Sequence, residues 1–148
     1  MTEIKALTKD DRAAIAAIAE IERLCFSEPW SEGSLEILTR EGAVGFAAVV
    51  DGIVAAYGGM MCVLDEGQIT NIATHPGFRR RGLGREVVSA LAEYARANGI
   101  ASIFLEVRES NTAARALYTA CGYREIGRRR RFYRNPAEDA VLMECKIV

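Results

Sequence analysis

Residues Asn71 to Glu86 read N-I-A-T-H-P-G-F-R-R-R-G-L-G-R-E, and no other stretch constrains the fold as tightly. An apolar, strand-like run ends at Thr74, a His75-Pro76-Gly77 turn follows, and a loop of arginines and glycines opens straight into a helix. Glycines let a backbone approach a ligand closely, and the amides at a helix start make a site for an anion. The arginines add fork-shaped donors that suit a diphosphate. Two other phosphate motifs are excluded. Val87 stands where a dinucleotide fingerprint would place a third glycine after Gly82 and Gly84, and no G-K-[ST] completes a P-loop.

The rest of the chain alternates between two periods. A short strand is predicted at Ile4–Leu7, followed by Thr8 as a helix cap with Asp11 three residues on. That helix runs to about Cys25, its apolar face drawn by Ile15, Ile18, Ile21 or Glu22, and Cys25. Ser31 caps a second helix, with Trp30 and Leu35 in hydrophobic-staple positions and Gly42 at its end. Val44–Val50 and Ile53–Val63 flank Asp51-Gly52, a pair that supplies the positive φ angles of a hairpin turn. A turn at Asp65-Glu66-Gly67 feeds a strand at Gln68–Thr74, antiparallel like the two before it. Gly84–Asn98 is strongly amphipathic through Val87, Val88, Leu91, Tyr94 and Ala95, and Gly99 stops it. Ala101–Val107 reads as a buried strand, and Asn111 caps a helix that ends near Cys121-Gly122. Strands at about Tyr123–Tyr133 and Ala140–Ile147 close the chain. The order β-α-α-β-β-β-α-β-α-β-β describes an α/β fold with a mixed sheet.

Without a repeat or linker, 148 residues predict a single domain over 1–148. With 19 Lys and Arg against 20 Asp and Glu, the whole chain is no polyanion binder. Arg79–Arg81 and Arg128–Arg131 are nevertheless local basic runs, which suggest local anionic partners. The four cysteines lie far apart in apolar segments and there is one histidine, a pattern for buried reduced thiols and no metal. Neither a leader-like opening nor a membrane-length apolar run is present, so no membrane and a reduced cytoplasm are expected.

Glu106 is the sharpest single residue. It interrupts the apolar run Ser102-Ile-Phe-Leu-Glu-Val, where a carboxylate is expensive to bury without a partner or a job. Spacing alone leaves two readings open: a working carboxylate, or the partner of Arg108, two residues on and on the same side of the strand. Tyr118 follows Asn111 by seven residues, so two helical turns stack them on one face.

R-R-R-G-L-G after a strand, L-E-V-R at Leu105–Arg108 and S-N-T-A-A-R-A-L-Y-x-x-C-G-Y at Ser110–Tyr123 together resemble the GCN5-related N-acetyltransferases. P-W-S at Pro29–Ser31 and E-D-A-V-L-M at Glu138–Met143 narrow the resemblance to the RimI-type branch. It implies one GNAT-like domain, with a mostly antiparallel sheet flanked by helices, and acetyl-CoA as acetyl donor. It further implies that Arg79, Arg80, Arg81, Gly82, Leu83, Gly84 and Arg85 hold the pyrophosphate and adenosine phosphate. The backbone of Ile72, Ala73 and Thr74 would pair with the pantetheine arm like an added strand, while the Ile72 and Ala73 side chains fall in the core. Asn111 would both cap its helix and touch the cofactor. In the same comparison Glu106 is the general base, and Tyr118 faces the thioester sulfur and protonates the thiolate.

The acceptor implied is the N-terminal alanine of the eighteenth small-subunit ribosomal protein. Two other functions fit the same motifs: a relative acting on lysine or a small amine, and a non-catalytic acyl-CoA-binding module docked on RNA. Acceptor specificity is expected from Phe26–Glu32 and from the strand pair after Arg128. Arg128–Arg131 reads equally as a contact for RNA or an acidic segment and as a solvated edge strand. Its many arginines, and Arg134-Asn135-Pro136 after Phe132-Tyr133, depart from the branch pattern on the acceptor side.

Overall fold

The computed structural model describes residues 1–147. Positive φ angles of 50° at Asp51 and 83° at Gly52 turn the chain between β2 (Ala43–Val50) and β3 (Ile53–Val63), as the Asp-Gly pair predicts. β1 (Thr2–Ala6) runs antiparallel along β2, and β4 (Glu66–Thr74) runs antiparallel along β3. The turn before β4 falls at Leu64-Asp65, earlier than the glycine suggested, with Leu64 at φ 54°.

β5 (Ser102–Arg108) then enters parallel to β4, and β6 (Arg124–Tyr133) and β7 (Glu138–Lys146) form a closing hairpin. It is β7 that pairs with β5, so β6 is left at the edge and the order is β1-β2-β3-β4-β5-β7-β6. The expected mixed, mostly antiparallel sheet is what forms.

The first helix, α1 (Arg12–Cys25), corrects one expectation. Its cap is Asp11, whose Oδ1 accepts from the Ala14 N–H at 3.0 Å, and Thr8 only leads into the preceding turn. Asp11 also takes Lys5 Nζ at 2.9 Å, which ties the helix start to β1. α2 (Glu32–Leu35) is capped by Ser31 as predicted, tightens into a 3₁₀ turn over Glu36–Thr39, and stops three residues before Gly42.

Helices cover both faces of the sheet. On one, Ile15, Ile18, Leu35 and Leu38 pack against Ala47 and Tyr57. On the other, Val87, Val88 and Leu91 of α3 (Leu83–Ala97) pack against Ala48, Met60 and Leu105. The helices come close to β3 because it carries two glycines. A Cβ on Gly58 would stand 2.5 Å from Ile72 Cδ1 and 2.6 Å from Val87 Cγ1, and one on Gly59 2.5 Å from Leu38 Cδ1. The fourth helix, α4 (Thr112–Ala120), follows β5.

Two irregularities of β4 position the site. Its register against β3 jumps so that Gly59 faces Asn71 while Met60 faces Ile69, leaving Thr70 as the extra residue of a bulge. Its pairing with β5 covers only Glu66–Gln68 against Ser102–Phe104, and beyond that the strands diverge. The cysteines correct another expectation: Cys145 is buried, but Cys25, Cys62 and Cys121 are half-buried.

Candidate active site

The divergence of β4 and β5 opens a cleft of about 660 Å³ walled by Ile69–Ile72 and Leu105–Arg108. Asn111, Ala114 and Tyr118 reach it from α4 and its cap, and the α1–α2 loop and the β6–β7 hairpin complete it. Glu106, Tyr118, Asn111 and Ile72, separated by up to 46 residues in sequence from Ile72 to Tyr118, therefore share one space.

Glu106 is half-buried and does not pair with Arg108. Its carboxylate accepts from Gln68 Nε2 at 2.9 and 3.2 Å; Gln68 ends the β4–β5 pairing opposite Phe104, two residues before Glu106. Arg108 turns instead to the β6–β7 hairpin. It donates to the carbonyls of Arg134 (2.8 Å) and Pro136 (2.9 Å), meets Glu138 at 3.2 Å, and lies 4.5 Å over the Tyr133 ring. Tyr133 also lines the cleft, and burial, reinforced by the Glu106 charge, pushes its phenol up to about 12.

Tyr118 is 6% exposed, against the Tyr123 ring at 5.8 Å between centroids. Burial above all raises its phenol well over the ordinary value, so it is a proton donor throughout the neutral range. Asn111 caps α4 by accepting from the Ala114 N–H at 3.1 Å.

The residues expected to hold the phosphates, Arg79–Arg85, stand outside the cleft lining, as do Ala73 and Thr74. Ala73 is buried, and the half-buried Thr74 accepts from Cys25 Sγ at 3.3 Å through its carbonyl. Leu83 is core, so only its backbone is available to a ligand. Arg79, Arg80, Arg81 and Arg85 are exposed. Arg81 lies 5.1 Å over the Phe78 ring and Arg79 Nη2 is 3.6 Å from Cys25 Sγ.

The loop fits an anion. Gly82, at φ 76°, caps α3 without any side-chain hydrogen bond, so the first-turn amides keep their donors free. Space for a Cβ at Gly82 is open. Gly84 brings the helix start to the cleft: a Cβ there would stand 3.2 Å from Leu117, the neighbour of Tyr118, and 3.7 Å from Thr74 Oγ1.

Sequence reasoning missed Gln68 and Glu22, and named Tyr133 only within the strand pair expected to set acceptor specificity. Glu22 is fully buried in α1 and lines the cleft, and its signal was a glutamate in register with the isoleucines of the apolar face. Gln68 carries no such signal, because only the pairing of β4 with β5 brings it to Glu106.

The sequence profile of the Acetyltransferase (GNAT) family matches residues 15–123. The chain is 36% identical over 149 aligned residues to the [ribosomal protein bS18]-alanine N-acetyltransferase of Escherichia coli strain K12, covering 99% of each. It is 35% identical over 132 residues to the putative [ribosomal protein bS18]-alanine N-acetyltransferase of Bacillus subtilis strain 168, covering 88% of this chain and 87% of that one. The crystal structure of the ribosomal-protein-S18-alanine N-acetyltransferase from Escherichia coli superposes with a TM-score of 0.90 over 99% of this chain and 94% of that one, at 36% identity. With most of its length matched by the family profile and 99% of it by the Escherichia coli relative, the chain belongs to the GNAT family of acetyltransferases.

Proposed function

We propose that the enzyme transfers the acetyl group of acetyl-CoA to the α-amine of the N-terminal alanine of ribosomal protein bS18. One observation carries the mechanism: Glu106, anchored by a neutral amide, and Tyr118, kept protonated by burial, line the same cleft. Likeness to the bS18-alanine enzymes along the whole chain supports the acceptor. Acetyl-CoA supplies the activated acetyl group as a thioester.

The α3 amides after Gly82, with Arg79, Arg80, Arg81 and Arg85, would hold its pyrophosphate and adenosine phosphate. The edge of β4 over Ile72–Thr74, left without a partner strand on the β5 side, would pair with the pantetheine amides, beside Asn111. Glu106 takes one proton from the substrate α-ammonium, directly or through water, and the freed amine forms the new C–N bond. Backbone N–H near Ala73 steadies the carbonyl oxygen as charge gathers on it. Tyr118 protonates the sulfur as the C–S bond breaks, and the second proton lost by nitrogen restores the phenol. The products are the N-acetylated peptide, free coenzyme A thiol and one proton.

An α-amine titrates near 7.7–8.0 and a lysine near 10.4, so freeing the α-amine at neutral pH costs about 3 kcal/mol less. The decisive experiment offers acetyl-CoA with two peptides, one with a free N-terminal alanine of bS18, the other blocked with an internal lysine. Intact mass and free thiol should report acetylation of the first alone. Labelling of the lysine peptide, or of neither, overturns the acceptor.

A further inference from the structure

A second carboxylate borders the cleft, and the mechanism above leaves it without a task. Glu22 belongs to α1 among Ile15, Ile18 and Ile21, and its side chain is 0% exposed. None of the ion pairs among the described residues includes it. A buried carboxylate without a cation is costly, and an apolar residue in its place would suit the helix face better. Burial accordingly pushes its carboxyl up.

Three donors hold it. Oε1 accepts from the Trp30 N–H at 2.9 Å, and Oε2 accepts from the Tyr57 hydroxyl at 2.6 Å and from Asn71 Nδ2 at 3.1 Å. One carboxylate thus joins the α1–α2 loop, β3, and β4 beside its Thr70 bulge. Among the described residues the Trp30 bond is the one hydrogen bond in which Ser27–Trp30 take part. Phe26, Ser27, Glu28 and Trp30 all line the cleft; the Phe26 N–H is held by the Glu22 carbonyl and Trp30 packs on the core, so Glu22 Oε1 is the side-chain tie that holds the far end of that wall. Gln68, which anchors Glu106, stands three residues before Asn71 on the same strand.

We infer that Glu22 is a positioning residue, which sets the acceptor wall of the cleft relative to Glu106 and thereby controls how tightly the peptide is held. The inference rests on the peptide acetyltransferase reading of the cleft. Its central readout does not, because Trp30 is the single tryptophan of the chain and reports the loop by fluorescence without any turnover.

The test compares wild type with Glu22→Ala and Glu22→Gln. Removing the acceptor strands one buried and two half-buried donors, so Glu22→Ala should raise the peptide KM about tenfold or more, with kcat and the acetyl-CoA KM within about threefold. Its Trp30 emission should shift to the red and become more open to acrylamide quenching. Glu22→Gln keeps an oxygen for the Trp30 N–H, and its amide can donate to a turned Asn71 side chain. That variant should recover most of the peptide KM and the wild-type emission.

If Glu22→Ala does not fold, Tyr57→Phe removes one arm of the network and should give intermediate KM and quenching. Wild-type emission and peptide KM in a folded Glu22→Ala or Tyr57→Phe would overturn the inference. So would equal kcat loss in the Ala and Gln variants, which would mean that the charge itself is required. Should wild type acetylate no peptide, the acceptor reading fails while the Trp30 measurement still decides the role of Glu22.

Discussion

Because Gln68 is neutral, the Glu106 charge is anchored without being cancelled, and it remains available to a cationic substrate. Replacing the carboxylate by its amide keeps the size and removes the proposed base. Glu106→Gln should lower kcat at least about tenfold and leave acetyl-CoA affinity nearly unchanged, read by thiol release and by calorimetry. Wild-type turnover would remove Glu106 from the mechanism. Tyr118 carries a different prediction, tied to pH. Its raised phenol stays protonated past the ordinary tyrosine value near 10, so the kcat profile should show no alkaline loss on its account below that value. Tyr118→Phe should lower the plateau of that profile without moving its limbs, and an unaltered rate would reassign the residue to packing.

Caps and close approaches govern the elements. Asp11→Ala removes the acceptor for the Ala14 N–H and should cost about 1 kcal/mol in urea unfolding. Gly58→Ala drives a methyl against Ile72 and Val87, so about 1–3 kcal/mol is expected by the same measurement. Element order was readable because each element carries its own period and punctuation: Asp51-Gly52, Ser31 and Asn111 act where local chemistry says they should. Thr8 misled because capping depends on where the first helical residue falls, and Lys5 recruits Asp11 from a neighbouring strand. Nothing local reveals that β7 rather than β6 lies beside β5, or that Gln68 meets Glu106. Glu106, Tyr118 and Asn111 were legible through their motifs, whereas Glu22 was taken as part of an apolar stripe because its three donors come from distant segments.

At the scale of the whole molecule, the basic runs part company. Along β6, Arg128 meets Glu109 at 2.6 Å and Arg129 lies over Phe132, so part of that run is engaged within the chain. Among the described residues, no ion pair includes an arginine of the loop before α3. Coenzyme A alone should therefore stabilise the fold by about 2.7 kcal/mol at a hundredfold excess over Kd, read as a higher melting temperature, while the Arg80→Ala variant needs more ligand for the same gain. Three residue pairs are all that stitch β4 to β5, with α3 packed across the join. Under mechanical load, as when a chain is threaded into an unfolding machine, that seam is where the sheet tears first. A donor lying along the unpaired edge of β4 would act there as a rivet, so the loaded enzyme should resist pulling with a force the empty one cannot match.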